Sequence, residues 1–417
     1  MSLATNLTRA WLTRSLRPFE FTNEYDSILT FEDAENLGLY VHIPFCKSIC
    51  NFCPYCKTLY SKEVCDKYID ALLEEISMVG GMCKEKKKVT SLYFGGGTPA
   101  LASDRIGEII KALGKYFEIT EGVGLELHPD NVKPELLREL KSAGVTKISI
   151  GIQSFQSKFQ SILGRKAVNT DALKKALSEV SFETVSMDFI FALPNQTFED
   201  LKKDIDTAFS IGANHIAVYP FIDFTFTKSP VKAMKKKEKR RLLDSITLYC
   251  YEKGYHRDSI WTFSKEKSAK YSSMTRENFL GFGASATTLL KGQFKINTFN
   301  TEEYGKRIDQ KELPTSLTIR FTLRQRMIYW LFWTAYTTKV REEDFESFFG
   351  VPLKKMYCKE LKLAERLGFV THNDGTFEMT LKGAFYYHYY ENYYTLSYID
   401  KMWGIMRENA FPDKIEL

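Results

Sequence analysis

Through the first half of the chain, short runs of β-branched and aromatic residues alternate with helix-like stretches. The runs predict strands at 39–45, 89–94, 123–127, 147–153, 185–192 and 215–221. Between the first two, Val64, Tyr68, Leu72 and Ile76 recur every fourth residue, the spacing of one helix face. Parallel strands need crossovers of this kind, so the repeat predicts a parallel sheet curved toward a barrel. In such barrels the reactive residues sit at the C-terminal ends of the strands. Farther on the period changes. Helices are predicted at 324–336, 342–349 and 353–368, then two short strands at 369–372 and 376–380 around Asn373-Asp374-Gly375. Three helices and a hairpin make a winged-helix-like module.

The chain of 417 residues exceeds one ordinary domain, which agrees with a large core unit and a smaller one. Its 58 basic and 52 acidic residues nearly balance. The densest basic runs, at 84–88 and 235–241, are short and interrupted by glutamate, so they read as solvated surface. Without a basic stripe the winged-helix-like module does not read as a nucleic-acid binder. No apolar stretch approaches the roughly 18 to 20 residues of a membrane span. Arg9, Arg14 and Arg17 precede the first acid, a weak transit-peptide composition, but without a cleavage-type context the segment reads as a polar N-terminal arm. The aromatic-rich stretch 385–390, with Tyr393, Tyr394, Tyr398 and Trp403, reads as core or domain interface.

Candidate chemistry concentrates at the predicted strand ends. Cys46, Cys50 and Cys53 form a CxxxCxxC triplet directly after the first strand, a spacing that suits three thiolates on one iron–sulfur cluster. Electron-transfer clusters normally take four cysteines, so three leave one iron open to a small molecule. Cys56 follows and complicates the count. Cys65, Cys83, Cys250 and Cys358 are scattered rather than paired, as in a reduced, cytoplasmic protein. After the second strand come Gly95, Gly96, Gly97, Thr98 and Pro99, where glycines permit close ligand approach. Glu126 ends the third strand, Gln153 the fourth, and Asp188 lies toward the end of the fifth. Arg165 adds a cation for a carboxylate. His42 reads as a hydrogen-bonding residue beside the cysteines, and no other histidine spacing suggests a second metal site.

The run Tyr40-Val41-His42-Ile43-Pro44-Phe45-Cys46, the GGGTP turn, Ile152-Gln153-Ser154-Phe155 and Leu280-Gly281-Phe282-Gly283 together resemble the oxygen-independent coproporphyrinogen III oxidase family of radical S-adenosylmethionine (SAM) enzymes. The likeness spans roughly residues 37 to 400. It implies an α/β fold, a partial (β/α)6 radical SAM barrel over 37–305, preceded by an N-terminal arm over 1–36. A smaller, mainly helical C-terminal domain over 306–417 would cover the substrate. By resemblance Cys46, Cys50 and Cys53 are the ligands of a 4Fe–4S cluster, and SAM chelates the open iron with its methionine end along Gly95–Pro99. Glu126 holds the ribose, with Asp188 close by. Ile190 and Phe221 pack near the adenine, and Tyr40 lies near the bound SAM. Gln153 and Arg165 match SAM contacts, including those of a second SAM in members that bind two.

The resemblance also implies reductive cleavage of SAM to a 5′-deoxyadenosyl radical, fed by an electron donor such as flavodoxin or ferredoxin, and a small-molecule substrate of tetrapyrrole type. Two departures bear on that reading. The fourth cysteine of these oxidases often stands two residues after the third, whereas Cys56 stands three on; it is either a neighbouring thiol or part of an alternative set with Cys50 and Cys53. Met274 falls where those oxidases carry a glutamine for the second SAM, with Ser272, Ser273 and Arg276 as alternatives in the same loop. Three functions therefore compete: oxidative decarboxylation of a coproporphyrinogen III-type substrate or a related porphyrin conversion, C-methylation by a class C radical SAM methyltransferase using two SAM molecules, and heme binding by a chaperone of the same fold.

Overall fold

Parallel strands joined by amphipathic helices assemble into one continuous sheet. The computed structural model describes residues 3–24, 29–266 and 277–417. Strands β1 (Leu37–Ile43), β2 (Leu92–Gly96), β3 (Val123–Leu127), β4 (Lys147–Gln153), β5 (Thr184–Phe191) and β6 (His215–Pro220) lie side by side and parallel in chain order. This is the α/β partial barrel expected from the pattern. Helices α1 (Lys62–Gly80), α2 (Ser103–Leu113), α3 (Pro134–Ser142), α4 (Thr170–Glu179) and α5 (Phe198–Ser210) make the crossovers, and α6 (Lys236–Glu252) follows β6. The buried face of α1 is Cys65, Tyr68, Ile69, Leu72, Ile76 and Val79. Val64, assigned to that face by its four-residue spacing, is instead exposed: its amide is taken by the Ser61 cap at 3.2 Å, which places it on the outer side of the first turn.

The sheet extends beyond the six expected strands. β7 (Asn278–Phe282) pairs parallel with β1, and Thr287–Leu290, Gln293–Asn297 and Thr315–Arg320 add antiparallel strands after it. Glu20–Thr22, from the stretch read as an N-terminal arm, pairs with Thr315–Arg320 and with Lys414–Glu416. The loop carrying Met274, Ser272, Ser273 and Arg276 lies outside the described residues.

After the sheet come α7 (Leu323–Tyr336), α8 (Glu342–Phe349), α9 (Leu353–Arg366) and the hairpin Val370–Asn373 with Thr376–Met379, joined by the short strand Lys339–Arg341. Met327, Trp330, Phe345, Leu353, Tyr357 and Phe377 give this module its own core. Two further helices, α10 (Leu381–Tyr394) and α11 (Asp400–Glu408), return to the barrel. Among the described residues no helix is long and apolar enough to cross a membrane.

One buried carboxylate ties the barrel's first helix to its seventh strand. Glu75 of α1 accepts from the Gly283 amide at 2.7 Å, the Tyr304 hydroxyl at 2.7 Å and the Asn297 side chain at 3.0 Å. Tyr68, two turns earlier on the same face of α1, donates to the His42 carbonyl and accepts from the Ala284 amide, both at 2.8 Å. Gly283 has φ +96°, and a Cβ there would meet Tyr68 Oη at 2.5 Å and His42 O at 2.6 Å, so only glycine fits between β1 and α1. Replacing Glu75→Ala strands three buried donors, and a loss of about 3 kcal/mol or more is expected in denaturant unfolding; a change under about 0.5 kcal/mol contradicts this role.

Candidate functional site

Within the barrel strands the helix-facing positions are apolar, as in Leu39, Val41, Phe94, Leu125, Ile148, Ile150, Met187 and Phe189. The alternate positions carry polar groups and meet across the lumen. Glu126 accepts from the Tyr93 hydroxyl at 3.2 Å and the Gly96 amide at 3.1 Å. Asp188 accepts from Ser149 Oγ at 2.9 Å, and Ser186 Oγ lies 2.8 Å from His215 Nδ1. Tyr40 and Tyr93 stack with centroids 6.5 Å apart. Burial raises Glu126 to about 7, with Asp188 as the second cause, and raises Asp188 to about 6.

Asp188 lies within β5, not at its end, three residues before Phe191. A bulge in β4 sets Gly151 and Ile152 opposite it and turns Gln153 out at φ +69°. Arg165 reaches back and donates to the Gly151 carbonyl, while its Nε has no partner. Gln153 and Arg165 thus meet at the bulge beside Asp188.

The glycine turn presses against the end of β1. The Gly97 amide donates to the Ile43 carbonyl at 2.9 Å and the Thr98 amide to the Phe45 carbonyl at 2.7 Å. A Cβ on Gly97 would meet Phe45 O at 2.5 Å, and one on Gly96, at φ +123°, would meet the His42 ring at 2.8 Å. A Cβ on Gly95 would come within 3.0 Å of Tyr40 and 3.1 Å of Glu126. The turn is therefore a backbone cradle, and Pro99 opens the short helix Pro99–Ala102 that ends it.

The Thr98 amide bond to the Phe45 carbonyl joins the cradle to the residue just before Cys46, and the Thr98 side chain acts to lower the Cys46 thiol against the upward push of burial. Burial, then Cys53 and Cys50, push Cys46 up to about 11, and burial also raises Cys53. Lys57 Nζ donates to the Cys50 carbonyl at 3.2 Å and the Cys53 carbonyl at 2.5 Å, folding the loop around its own backbone. Among the described residues no three His, Cys, Asp or Glu side chains are gathered closely enough to hold a metal as they stand. Thiols that repel one another when ionised draw together once a metal replaces their protons. Three soft donors on one loop, coupled to one another and set beside a backbone cradle, fit an iron–sulfur cluster.

Cys56 belongs to a different environment. It is buried, its Sγ donates to the Phe299 carbonyl at 3.1 Å, and it packs with Phe299, Leu317 and Met402. Its carbonyl lies 3.2 Å from His42 Nε2. A carbonyl only accepts, so Nε2 carries the proton and Nδ1 accepts from the Tyr40 hydroxyl at 3.0 Å. Burial lowers His42 to about 4, keeping it neutral.

Ile190, two residues after Asp188 on β5, and Phe221, just past the end of β6, are both buried. They form a small apolar cluster with Phe159, Leu163 and Leu193, against which Phe52 of the cysteine loop packs. The C-terminal helix covers the other side. In α11, Asp400 accepts from the Thr225 amide and hydroxyl at 2.8 Å each, Trp403 stacks on Phe224, and Arg407 donates to the Pro54 carbonyl. Tyr55 remains 54% exposed although Glu126, Cys53 and Asp188 are among its ionisable neighbours, so its ring stands in the open mouth. Tyr93, Ser149, Ser186, His215 and the α11 clamp were not singled out from sequence. The first four are marked there by polar residues at every second position of otherwise apolar strands.

A family model described as the radical SAM superfamily matches residues 40–208. Heme chaperone HemW of Bacillus subtilis is 26% identical over 362 residues, 82% of this chain and 95% of that protein. Oxygen-independent coproporphyrinogen III oxidase of Cereibacter sphaeroides is 27% identical over 317 residues, 69% of this chain and 70% of that protein. The structure of Escherichia coli coproporphyrinogen III oxidase (HemN), described as a radical SAM enzyme, covers 93% of this chain and 98% of its own, with a TM-score of 0.75 at 20% identity. Residues 40–208 carry the radical SAM sequence pattern. The HemN likeness shows the chain's fold over nearly the full length. In sequence it is similar to HemW and to oxygen-independent coproporphyrinogen III oxidase at 26% and 27% identity.

The paired carboxyls give a pH prediction. Both are raised above their unfolded values, so their contribution is favourable below about pH 4 and is lost as pH rises through about 6 to 7. In Asp188→Asn the Glu126 midpoint is expected to move down toward the ordinary carboxylate range, read by carbon-13 NMR of labelled glutamate. An unmoved midpoint contradicts the coupling.

Proposed function

We propose that Cys46, Cys50 and Cys53 hold a 4Fe–4S cluster, with SAM lying from it across Gly95–Pro99 toward Glu126, and that the protein binds heme at the barrel mouth and passes it on. The observation that carries the cofactor reading is the Thr98 amide bond to the Phe45 carbonyl at 2.7 Å, which joins the glycine cradle to the residue where the thiol loop begins. When bound, the cluster and SAM supply reductive cleavage to a 5′-deoxyadenosyl radical. Glu126 uses two of its acceptor sites on Tyr93 and Gly96 and keeps others for a ribose hydroxyl. Tyr40 and Tyr93 wall the same space, and α11 limits water from the loop side. Arg165, with Nε unpaired, offers a cation to a carboxylate and is the residue to bear on a second SAM with Gln153. A small reduced donor such as flavodoxin or ferredoxin would serve the cluster.

Heme handling is supported by the likeness to the Bacillus heme chaperone HemW, 26% identical over 95% of that protein. A second reading, oxidative decarboxylation of a coproporphyrinogen III-type substrate, is favoured by the polar lumen of Glu126, Asp188 and Ser149. Methyl transfer has its own product signature.

Anaerobically reconstituted protein separates these readings when given SAM, dithionite and either heme or coproporphyrinogen III. The heme reading expects saturable binding with a shifted Soret band and no carbon dioxide above background. Carbon dioxide with stoichiometric 5′-deoxyadenosine promotes decarboxylation, and S-adenosylhomocysteine promotes methylation. Absence of both heme binding and 5′-deoxyadenosine overturns the proposal.

A further inference from the structure

His388, Glu391 and Asn392 occupy one stripe of α10, three and four residues apart, where that helix crosses the ends of β5 and β6. His388 is 3% exposed, with its ring 6.1 Å from Phe191 and 5.6 Å from Trp261. His388 Nδ1, Glu391 Oε2 and Asn392 Oδ1 are all shut off from solvent without a hydrogen-bond partner. Buried polar atoms are normally paired, and two of these orphan-bearing residues, His388 and Asn392, line one cavity.

Facing them is Lys239, in the first turn of α6. Its ammonium donates to the Phe221 carbonyl at 3.2 Å, and Asp223 and Glu391 act on it only at longer range. Burial draws Lys239 down and pushes Glu391 up to about 8, and of the carboxyls acting on the ammonium Asp223 is the stronger and Glu391 the weaker; neither forms an ion pair with it. The N-terminal end of α6 adds the positive end of its dipole.

These groups surround a cavity of about 150 Å³ lined by Lys236, Lys239, Phe385, His388, Tyr389 and Asn392. A cavity of that size admits a single six-membered ring. Lys236 lies 3.3 Å over the Tyr389 ring, at the edge exposed to solvent.

We propose that this cavity is a carboxylate-binding site for a small organic acid. The carboxylate accepts from the Lys239 ammonium and the Asn392 Nδ2, and the apolar body lies on Phe385 and Tyr389. Aromatic walls and a single inner cation favour a monoanion with a hydrocarbon body over a fully charged inorganic anion. The site shares no residue with the cysteine loop or the glycine cradle, so it stands apart from the cluster and SAM reading.

Isothermal titration of the full-length protein at pH 7 tests it with benzoate, benzamide as the neutral isostere, and inorganic phosphate. Saturable benzoate binding is expected, at least tenfold tighter than benzamide or phosphate and weakened at least tenfold by Lys239→Gln and by Asn392→Leu. Circular dichroism checks that each variant folds; if Lys239→Gln does not, Asn392→Leu carries the comparison. No saturable benzoate binding, unchanged affinity in the folded variants, or phosphate binding tighter than benzoate overturns the proposal. Protein with and without reconstituted iron is titrated, and failure of cluster assembly leaves the benzoate result readable.

Discussion

The constraint on which the candidate site depends is the contact between the glycine turn after β2 and the end of β1. Two amides, Gly97 and Thr98, bond to the Ile43 and Phe45 carbonyls, and any Cβ on Gly97 would collide with Phe45. That approach sets where β1 releases the chain into the cysteine loop. It also leaves the Thr98 hydroxyl against Cys46 and the Gly96 amide on Glu126. One backbone contact therefore positions thiols, cradle and acid together, and rigid strand ends hold them better than a free loop would.

A second layer of buried polar contacts keeps β1 in place from behind. Tyr68 holds the His42 carbonyl, Glu75 holds the Gly283 amide, and His42 bridges Tyr40 to the Cys56 carbonyl. Cys56 is thereby drawn into the sheet's second core with Phe299 and Met402, away from the lumen. Its burial and its bond to Phe299 weigh for the triplet of Cys46, Cys50 and Cys53 over the set that includes Cys56.

Much of this was legible in the chain. Five crossovers and six strands follow from the alternation of apolar runs, and β3 and β4 match their predicted limits because Val123–Leu127 and Lys147–Gln153 are bounded by turn residues. β7 was not foreseen as a strand: Asn278–Phe282 is buried along its whole length, so it shows no alternation, and it carries Gly281 inside. The strands at Glu20–Thr22 and Lys414–Glu416 are three residues each, too short for any periodicity, and exist because they pair with one another. At the site, motif residues were legible as motifs, but the bulge that turns Gln153 and brings Arg165 to Gly151 depends on β4–β5 register, which no local pattern states. Ile190 and Phe221 read as ligand packing by resemblance, and the structure groups both with Phe159, Leu163 and Leu193 in one apolar cluster.

The central claim is that three of the four clustered cysteines make the reactive metal site, and electron paramagnetic resonance of the reduced, anaerobically reconstituted protein tests it most directly. The account predicts a 4Fe–4S signal that changes on adding SAM, survives in Cys56→Ser and is lost in Cys46→Ser. A cluster that persists in Cys46→Ser and vanishes in Cys56→Ser would contradict it.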